Sequence, residues 1–286
     1  MTAASPVAPR SWGADVATAV GLLLLFAPVI VFLAFIPEDI VRVVTSRPPA
    51  SIDLSWSQVW IRFAISVAAP LAGYALLVGA RREDALPRWS WGDGRSWWAG
   101  FRLFPIVFLA TIALAILVLV IQLIRDPKTD LTPTAILGPP GALLSAALVA
   151  GVGEELAFRG VLQGALLRVV SAPVAIVTQA VLFGAAHAGW GSWEKLVIAS
   201  AFGAMVGVVA LRHGLLAAMS IHALNDAIAF GATLLQGDPA VAGSLFLALL
   251  IGLGVWAGFE VRRWWLHRQR PDLSLAPPDP GAPPPW

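Results

Sequence analysis

The segment from Gly151 to Arg168, which reads GVGEELAFRGVLQGALLR, places two adjacent carboxylates in an otherwise apolar run. Ionisable groups inside a membrane-spanning helix are costly, so each one is expected to have a partner or a function. On an α-helix Glu155 and Arg159 are four residues apart and share a face, with the acid on the N-terminal side as this pairing prefers. Glu154 lies about 100° around the helix and has no such neighbour. The sequence therefore predicts an ion pair for Glu155 and leaves Glu154 available for chemistry.

This stretch alone leaves three interpretations open. The acids could form a salt bridge that only holds helices together, because a buried charge needs a partner. They could equally belong to the proton relay of a transporter, which also places acids inside the membrane. The third interpretation is a catalytic acid or base, and choosing among the three requires the rest of the chain.

The composition predicts a membrane protein. Of the 286 residues, 58% are hydrophobic and only 13% are charged, whereas about a quarter of the residues of a soluble domain are charged. Several apolar runs reach the roughly 20 residues that a helix needs to cross a lipid bilayer. The chain has no cysteine, so it forms no disulfide and offers no thiolate to a metal. We expect an all-α fold, a polytopic transmembrane helical bundle.

The apolar runs and the turn signals between them predict about eight spans in one domain. We expect a disordered N-terminus at 1–11, a single integral-membrane domain at 12–265 and a Pro-rich, disordered tail at 266–286. Three pairs of glycines four residues apart predict close helix packing: Gly160 with Gly164, Gly203 with Gly207, and Gly254 with Gly258. The predicted spans are 14–36, 58–79, 99–124, 141–170, 174–187, 193–211, 215–235 and 240–261.

Basic residues predict the orientation of the bundle. With eight spans, Arg168, Arg212, the loop after the second span and the tail lie on one side, which is the richer side in arginine and lysine. We therefore expect a bacterial plasma-membrane protein with both termini in the cytoplasm. The net charge of +2 comes mainly from these arginines and does not indicate nucleic-acid binding. The loop after the second span also carries four tryptophans, which predicts a position at the headgroup level.

Polar residues are rare in the second half of the chain, and those present fall at similar depths. If the chain turns near residues 171–173, positions 155 and 187 both lie about 23 Å from that turn. His222 and Asp226 share a helix face and begin about a dozen ångströms beyond the turn at Gly214. These distances predict that Glu154, His187, His222 and Asp226, or its neighbour Asn225, gather inside the membrane. The other two histidines, His213 and His267, are expected at the surface.

Three motifs carry a resemblance to a known family. Glu154-Glu155-x-x-x-Arg159, Phe183-x-x-x-His187 and His222-x-x-x-Asp226 resemble the motifs of the CAAX-protease and bacteriocin-processing family, which comprises intramembrane endopeptidases. The resemblance covers residues 141–235 as the protease core. It implies that Glu154 and His187 activate the attacking water, and that His222 and the residue four positions later stabilise the oxyanion.

Asp226 departs from the family pattern, because many relatives carry asparagine there and Asn225 is displaced by one position. An ionised aspartate cannot donate a hydrogen bond to an oxyanion. Asp226 must therefore be protonated, orient His222 or bind a metal. Two histidines and carboxylates, with Glu154, His187 and His222 as the candidate ligands, could hold zinc or another divalent metal. The HExxH spacing of soluble zinc proteases is absent, and the sequence makes no cofactor certain.

The leading hypothesis is an endopeptidase that hydrolyses a peptide bond of a membrane-associated protein or peptide. The alternatives are a proton-coupled transporter and a non-catalytic membrane scaffold or immunity protein. The expected partners are the peptide substrate and the lipid bilayer, with no nucleic acid. The sequence does not define the substrate, its prenylation or the oligomeric state. The predicted catalytic residues are Glu154, Glu155, His187, His222 and Asp226, supported by Arg159 and Asn225.

Overall fold

The structure is a computed structural model and describes residues 12–44, 52–53, 55–127, 136–137, 139–188, 193–234 and 239–268. The described chain is helical except for a parallel pair of two-residue strands, β1 (Ile52–Asp53) and β2 (Ile136–Leu137). The predicted all-α bundle is therefore confirmed. The predicted disordered N-terminus at 1–11 and the tail from residue 269 onward lie outside the described residues.

The helices follow the order predicted from the apolar runs. Six segments are long and apolar enough to cross a membrane: Trp12–Ala34, Trp56–Gly79, Gly94–Arg125, Pro140–Leu166, Trp193–His213 and Gly243–Leu266. Two shorter apolar helices, Ala172–Ala188 and Leu215–Gly231, occupy the fifth and seventh predicted positions. The α-helices are α1 (Trp12–Val44), α2 (Trp56–Phe63), α3 (Ala69–Gly79), α4 (Gly94–Phe101), α5 (Phe104–Arg125), α6 (Pro140–Glu155), α7 (Gly164–Leu166), α8 (Ala172–Ala188), α9 (Trp193–His213), α10 (Leu215–Leu234) and α11 (Pro239–Arg268).

Two predicted spans contain π-helical turns. Ala64–Ala68 joins α2 to α3, and Leu156–Gln163 joins α6 to α7. Such turns insert one extra residue per turn and frequently occur at functional sites. The second π segment begins directly after the two glutamates, so it sets the direction of every side chain between them and Gln163.

Several boundaries differ from the predicted ones. Helix α11 continues to Arg268, past the predicted end at 261 and into the predicted disordered tail. Helix α1 continues to Val44, eight residues beyond the predicted end, although it contains Pro37. The predicted third span is divided after Phe101, where α4 ends and α5 begins with a proline in its first turn. Helix α4 also includes part of the predicted tryptophan loop, because Asp93 caps it by accepting a hydrogen bond from the Ser96 backbone N–H at 2.7 Å.

The helices pack around a core that contains the candidate site. Helix α8 packs along α9, α6 along α10, and α1 along α3. Three phenylalanines are buried at the centre: Phe158 of the second π segment, Phe183 of α8 and Phe202 of α9. Helix α11 lies at the periphery against α5, and an ion pair between Arg102 and Glu260 at 3.3 Å connects it to the bundle.

The glycine pairs have different environments. A Cβ on Gly160 would lie 2.6 Å from the Trp89 ring, and one on Gly164 would lie 2.9 Å from Pro87 Cβ. This pair therefore accommodates the loop before α4. Gly207 accommodates the side chains of Gln163 and Gln179, as described below. A Cβ on Gly254 or Gly258 would meet nothing within 4 Å among the described residues, so close packing predicted there is wrong.

Candidate active site

The two glutamates lie where the backbones of α6 and α10 come closest. A Cβ on Gly151 would lie 2.5 Å from the backbone of Ala223, so only glycine allows this approach. A Cβ on Gly153 would collide with Ser66 of the first π segment. Glycines on both sides of Val152 thus bring the end of α6 into the centre of the bundle. Glu154 is 8% exposed and Glu155 is completely buried.

Glu155 forms two interactions through one oxygen. Its Oε1 lies 2.8 Å from Nη1 of Arg159, which is the ion pair predicted from the i,i+4 spacing. The same Oε1 lies 2.7 Å from Nδ1 of His222 on α10. A carboxylate can only accept, so Nδ1 carries the hydrogen and donates it. Glu155 therefore binds the guanidinium and also fixes the orientation of the His222 ring, which the sequence did not predict.

His187 is held in a similar way by a different acceptor. Its Nδ1 lies 2.8 Å from the backbone carbonyl of Phe183, one turn earlier on α8. A carbonyl oxygen also only accepts, so Nδ1 carries the hydrogen. The Nε2 atom of His187 then faces Oε2 of Glu154 at 3.4 Å.

Both histidines present Nε2 to the same carboxylate oxygen. Nε2 of His222 lies 3.9 Å from Oε2 of Glu154, and Nε2 of His187 lies 3.4 Å from it. This oxygen is buried and accepts no hydrogen bond from the described residues. Its lone pairs are consequently available to a proton, and the imidazole of His187, at 3.4 Å, is the nearer group for exchanging it.

Asp226 joins the cluster through His222, one helical turn away. Its Oδ2 lies 3.4 Å from Nε2 of His222, and its Oδ1 accepts a hydrogen bond from Nδ2 of Asn225 at 3.1 Å. Asn225 thus contacts the aspartate, and no hydrogen bond joins it to His222 among the described side chains. Of the two neighbouring candidates, Asp226 is the residue that lies against the histidine.

The charges of the cluster require extra protons. Glu154, Glu155 and Asp226 supply three carboxylates, Arg159 supplies a permanent cation paired with Glu155, and Arg62 is a second arginine whose charge acts on Glu154. In a buried site this excess of negative charge is costly, so protons shared with the two imidazoles would offset it. The cluster is therefore equipped to store and transfer protons at Nε2 of each histidine.

Aromatic rings enclose the polar groups. Phe183 contacts both imidazoles, with ring centroids 4.4 Å from His187 and 5.8 Å from His222. The guanidinium of Arg159 lies over the ring of Phe183, 4.3 Å from its centroid. Phe202 packs against His222 at 5.1 Å. These rings exclude water from the Glu155–His222 contact and restrict the imidazoles to their observed orientations.

Arg159 is held by a polar ladder that the sequence did not indicate. Its Nη2 donates to the carbonyl of Gly203 at 3.2 Å, and Nε2 of Gln179 donates to the same carbonyl at 3.0 Å. One turn further along α9, Nε2 of Gln163 donates to the carbonyl of Gly207 at 3.1 Å. The only available sequence signal was the spacing of the two glycines, which was interpreted as helix packing.

The metal predicted at Glu154, His187 and His222 has no ready-made site among the described residues. No group of three or more His, Asp or Glu side chains in the described part of the chain could hold a metal ion. Both nitrogens of the His222 ring face carboxylates, and Nδ1 of His187 is hydrogen-bonded to a carbonyl. In both rings Nδ1 is hydrogen-bonded and Nε2 faces Glu154, an arrangement that metal-binding histidines also show. The metal predicted at Glu154, His187 and His222 therefore stays a prediction, and we derive no step through it.

The other two histidines lie outside the cluster. His213 was predicted at the surface, but it is half-buried because α4 packs closely on the end of α9. The packing is so close that a Cβ on Gly100 would lie 2.6 Å from the Cβ of His213. The side chain of His267 lies outside the described residues.

Part of the chain is similar to a known protein family. Residues 136–228 match the family described as type II CAAX prenyl endopeptidase Rce1-like. This segment is similar to the Rce1-like family. The Rce1-like segment runs from β2 into α10 and contains all five predicted catalytic residues. No curated protein and no solved structure matches the chain.

The match confirms the resemblance that was based on the three motifs. It supports, in general terms, an intramembrane endopeptidase of the CAAX type. Together with the apolar helices, the Rce1-like segment fits an integral membrane protein.

Proposed function

We propose that this protein is an intramembrane endopeptidase that hydrolyses a peptide bond of a membrane-associated protein or peptide. The observation that carries the proposal is the approach of two Nε2 atoms, from His187 and His222, to Oε2 of Glu154. Peptide hydrolysis needs a base for the attacking water and a donor for the developing oxyanion. Glu154 and the two imidazoles supply both within one buried cluster.

In the proposed mechanism Glu154 removes a proton from water as the water attacks the scissile carbonyl. Nε2 of His187 lies beside Oε2 of Glu154, so it can receive this proton from Glu154 and return it. The other ring nitrogen, Nδ1, is hydrogen-bonded to the Phe183 carbonyl and takes no part in the transfer. The proton is later delivered to the leaving amine. General acid–base assistance of this kind typically contributes about 10²–10⁴-fold in rate.

The oxyanion is assigned to His222. Glu155 accepts from Nδ1 and thereby favours the protonated ring, whose Nε2–H can donate to the tetrahedral intermediate. Asp226 lies beside the same Nε2 and keeps the proton available until the substrate carbonyl replaces it as the acceptor. This role needs no hydrogen-bond donation by an ionised aspartate.

Cleavage by the purified, full-length protein tests the proposal. A library of membrane-associated peptides, with and without prenylated cysteine, would be incubated with wild-type protein, with Glu154→Gln and with the control variant Glu83→Gln, whose side chain is exposed. We expect defined cleavage products from the wild type and the control, and none from Glu154→Gln. Proton-coupled flux into vesicles without any cleavage would instead support the transporter hypothesis.

A further inference from the structure

A cavity beside Arg159 has a lining that differs from the proposed catalytic cluster. It has a volume of about 530 Å³ and is lined by the loop before α4, the second π segment and the ends of α9 and α10. None of Glu154, His187, His222 and Asp226 lines it. Its described lining is Arg88, Trp89, Ser90, Arg159, Gln163, Leu167, Ala210, Leu211 and Leu215.

The loop residues form a fixed rim. The backbone N–H of Arg88 donates to the carbonyl of Gly164 at 3.0 Å, and the carbonyl of Ser90 accepts from the backbone N–H of Leu215 at 2.8 Å. The Trp89 ring stacks on Tyr74 with centroids 5.8 Å apart. The rim is therefore a built part of the bundle, and the cavity beneath it does not depend on a mobile loop.

The polar groups of the cavity favour an anion. Arg88 is exposed at the rim and donates one hydrogen bond, from Nη1 to the Leu167 carbonyl at 3.3 Å. A guanidinium has five N–H groups, so most of its donor capacity faces the opening. Arg159 adds a second guanidinium at the floor, and no carboxylate belongs to the described lining.

Two buried atoms of the lining residues have no hydrogen-bond partner among the described residues. Within that part of the chain, Nε of Arg159 finds no acceptor and Oε1 of Gln163 finds no donor, and both residues are 2% exposed. A hydroxyl group can satisfy both atoms, because it donates one hydrogen bond and accepts others. Leaving such atoms unsatisfied is costly in a buried setting.

The remaining walls are apolar and continue onto the outer surface. Ala210 and Leu215 line the cavity, and Leu211, which also lines it, is 43% exposed on the outside of the helical bundle. The rim lies at the end of the bundle where the arginines and tryptophans predict the headgroup level. A ligand held here would therefore present its polar end to the two arginines and its apolar end to Leu211.

We propose that this cavity binds a phosphate ester whose other substituent carries a hydroxyl group. Arg88 binds the phosphate, and the hydroxyl satisfies the orphaned atoms of Arg159 and Gln163. The chemistry is that of the phosphatidylglycerol headgroup and equally that of free glycerol 3-phosphate, so the experiment must distinguish the lipid from the soluble ester.

Native mass spectrometry of the full-length protein in a neutral detergent measures the binding. The probes are phosphatidylglycerol, phosphatidylcholine and glycerol 3-phosphate. The variants are Arg88→Gln, which removes the charge at an exposed position, and Ala210→Leu, which fills the cavity. Arg95→Gln is the matched control, because Arg95 is an exposed arginine nearby that does not line the cavity.

We expect the wild type and Arg95→Gln to retain phosphatidylglycerol in preference to phosphatidylcholine. Arg88→Gln should retain about tenfold less phosphatidylglycerol, the equivalent of one charge-assisted hydrogen bond. Ala210→Leu should show a loss of about the same size, because the larger side chain fills the cavity. Binding of glycerol 3-phosphate with the same sensitivity to the variants would identify the soluble ester as a sufficient ligand, and its failure to bind would identify the lipid. The proposal would be overturned if all four proteins retained phosphatidylglycerol equally. It would also be overturned if the wild type neither preferred phosphatidylglycerol over phosphatidylcholine nor bound glycerol 3-phosphate.

Discussion

Nδ1 of His222 lies 2.7 Å from Oε1 of Glu155, the oxygen that also binds Arg159 at 2.8 Å. The sequence predicted an ion pair between Glu155 and Arg159 and left Glu154 available for chemistry, and it counted both acids among the catalytic residues. The structure connects both acids to the histidines, Glu155 through Nδ1 of one ring and Glu154 through Nε2 of both. Removal of Glu155 should therefore affect the catalytic histidine as well as the fold.

The first prediction concerns this shared carboxylate. Glu155→Gln leaves Arg159 as a buried cation without its anion, and breaking a buried pair in this way costs about 3–5 kcal/mol. We expect a lower thermal unfolding midpoint in detergent and, for the protein that remains folded, a lower rate of peptide cleavage because His222 loses its charged acceptor. Glu83→Gln removes an exposed acid and should change neither quantity. Unaltered cleavage by folded Glu155→Gln protein would remove Glu155 from the mechanism.

The second prediction concerns Asp226. We expect Asp226→Asn to retain activity, because asparagine has the same volume and keeps an oxygen that can face Nε2 of His222. Asp226→Ala should lose much of it, with about 10²–10³-fold as the scale for a lost oxyanion contribution. Rates of cleavage at matched folded concentration provide the measurement. A fully active Asp226→Ala enzyme would show that residue 226 does not belong to the site.

The third prediction concerns the polar ladder beneath Arg159. A methyl group in Gly207→Ala would lie 2.6 Å from Nε2 of Gln179 and 2.9 Å from Oε1 of Gln163. Overpacking of this kind costs about 1–3 kcal/mol. We expect a reduced unfolding midpoint for Gly207→Ala and no change for Gly254→Ala, where the added methyl meets open space. Equal midpoints for the two variants would contradict the packing assigned to Gly207.

The fourth prediction concerns metal dependence. Because the proposed mechanism activates water with Glu154 and assigns no step to a metal, we expect cleavage to continue after treatment with a chelator. Metal content would be measured on the same sample before and after treatment. Loss of cleavage that returns when Zn²⁺ is added, together with sensitivity of metal content to Asp226→Asn, would favour a metal mechanism instead.

The positions of the helices followed from composition and periodicity. Apolar runs bounded by proline, glycine and charged residues located all eight segments, because the bilayer imposes a length on a spanning helix. The depth argument from the turn at 171–173 also brought Glu154 and His187 together, since both helices have a constant rise per residue.

The contacts made across the bundle could not be derived in this way. The direction of His222 toward Glu155 depends on the approach of α6 to α10 at Gly151, and the sequence gives no register between two helices. The π segment at Leu156–Gln163 has no periodic signature of its own. The loop residues Pro87 and Trp89 pack on Gly164 and Gly160, although the same glycine spacing ordinarily indicates contact between two helices.

The most direct test of the central claim is the cleavage rate of Glu154→Gln compared with that of the wild type. Glutamine preserves the shape of the side chain but cannot take a proton from water, so we expect a folded protein with cleavage reduced by about 10²–10⁴-fold. The unfolding midpoint of the same sample establishes that the loss is chemical. Cleavage at the wild-type rate by folded Glu154→Gln protein would contradict the assignment of Glu154 as the base.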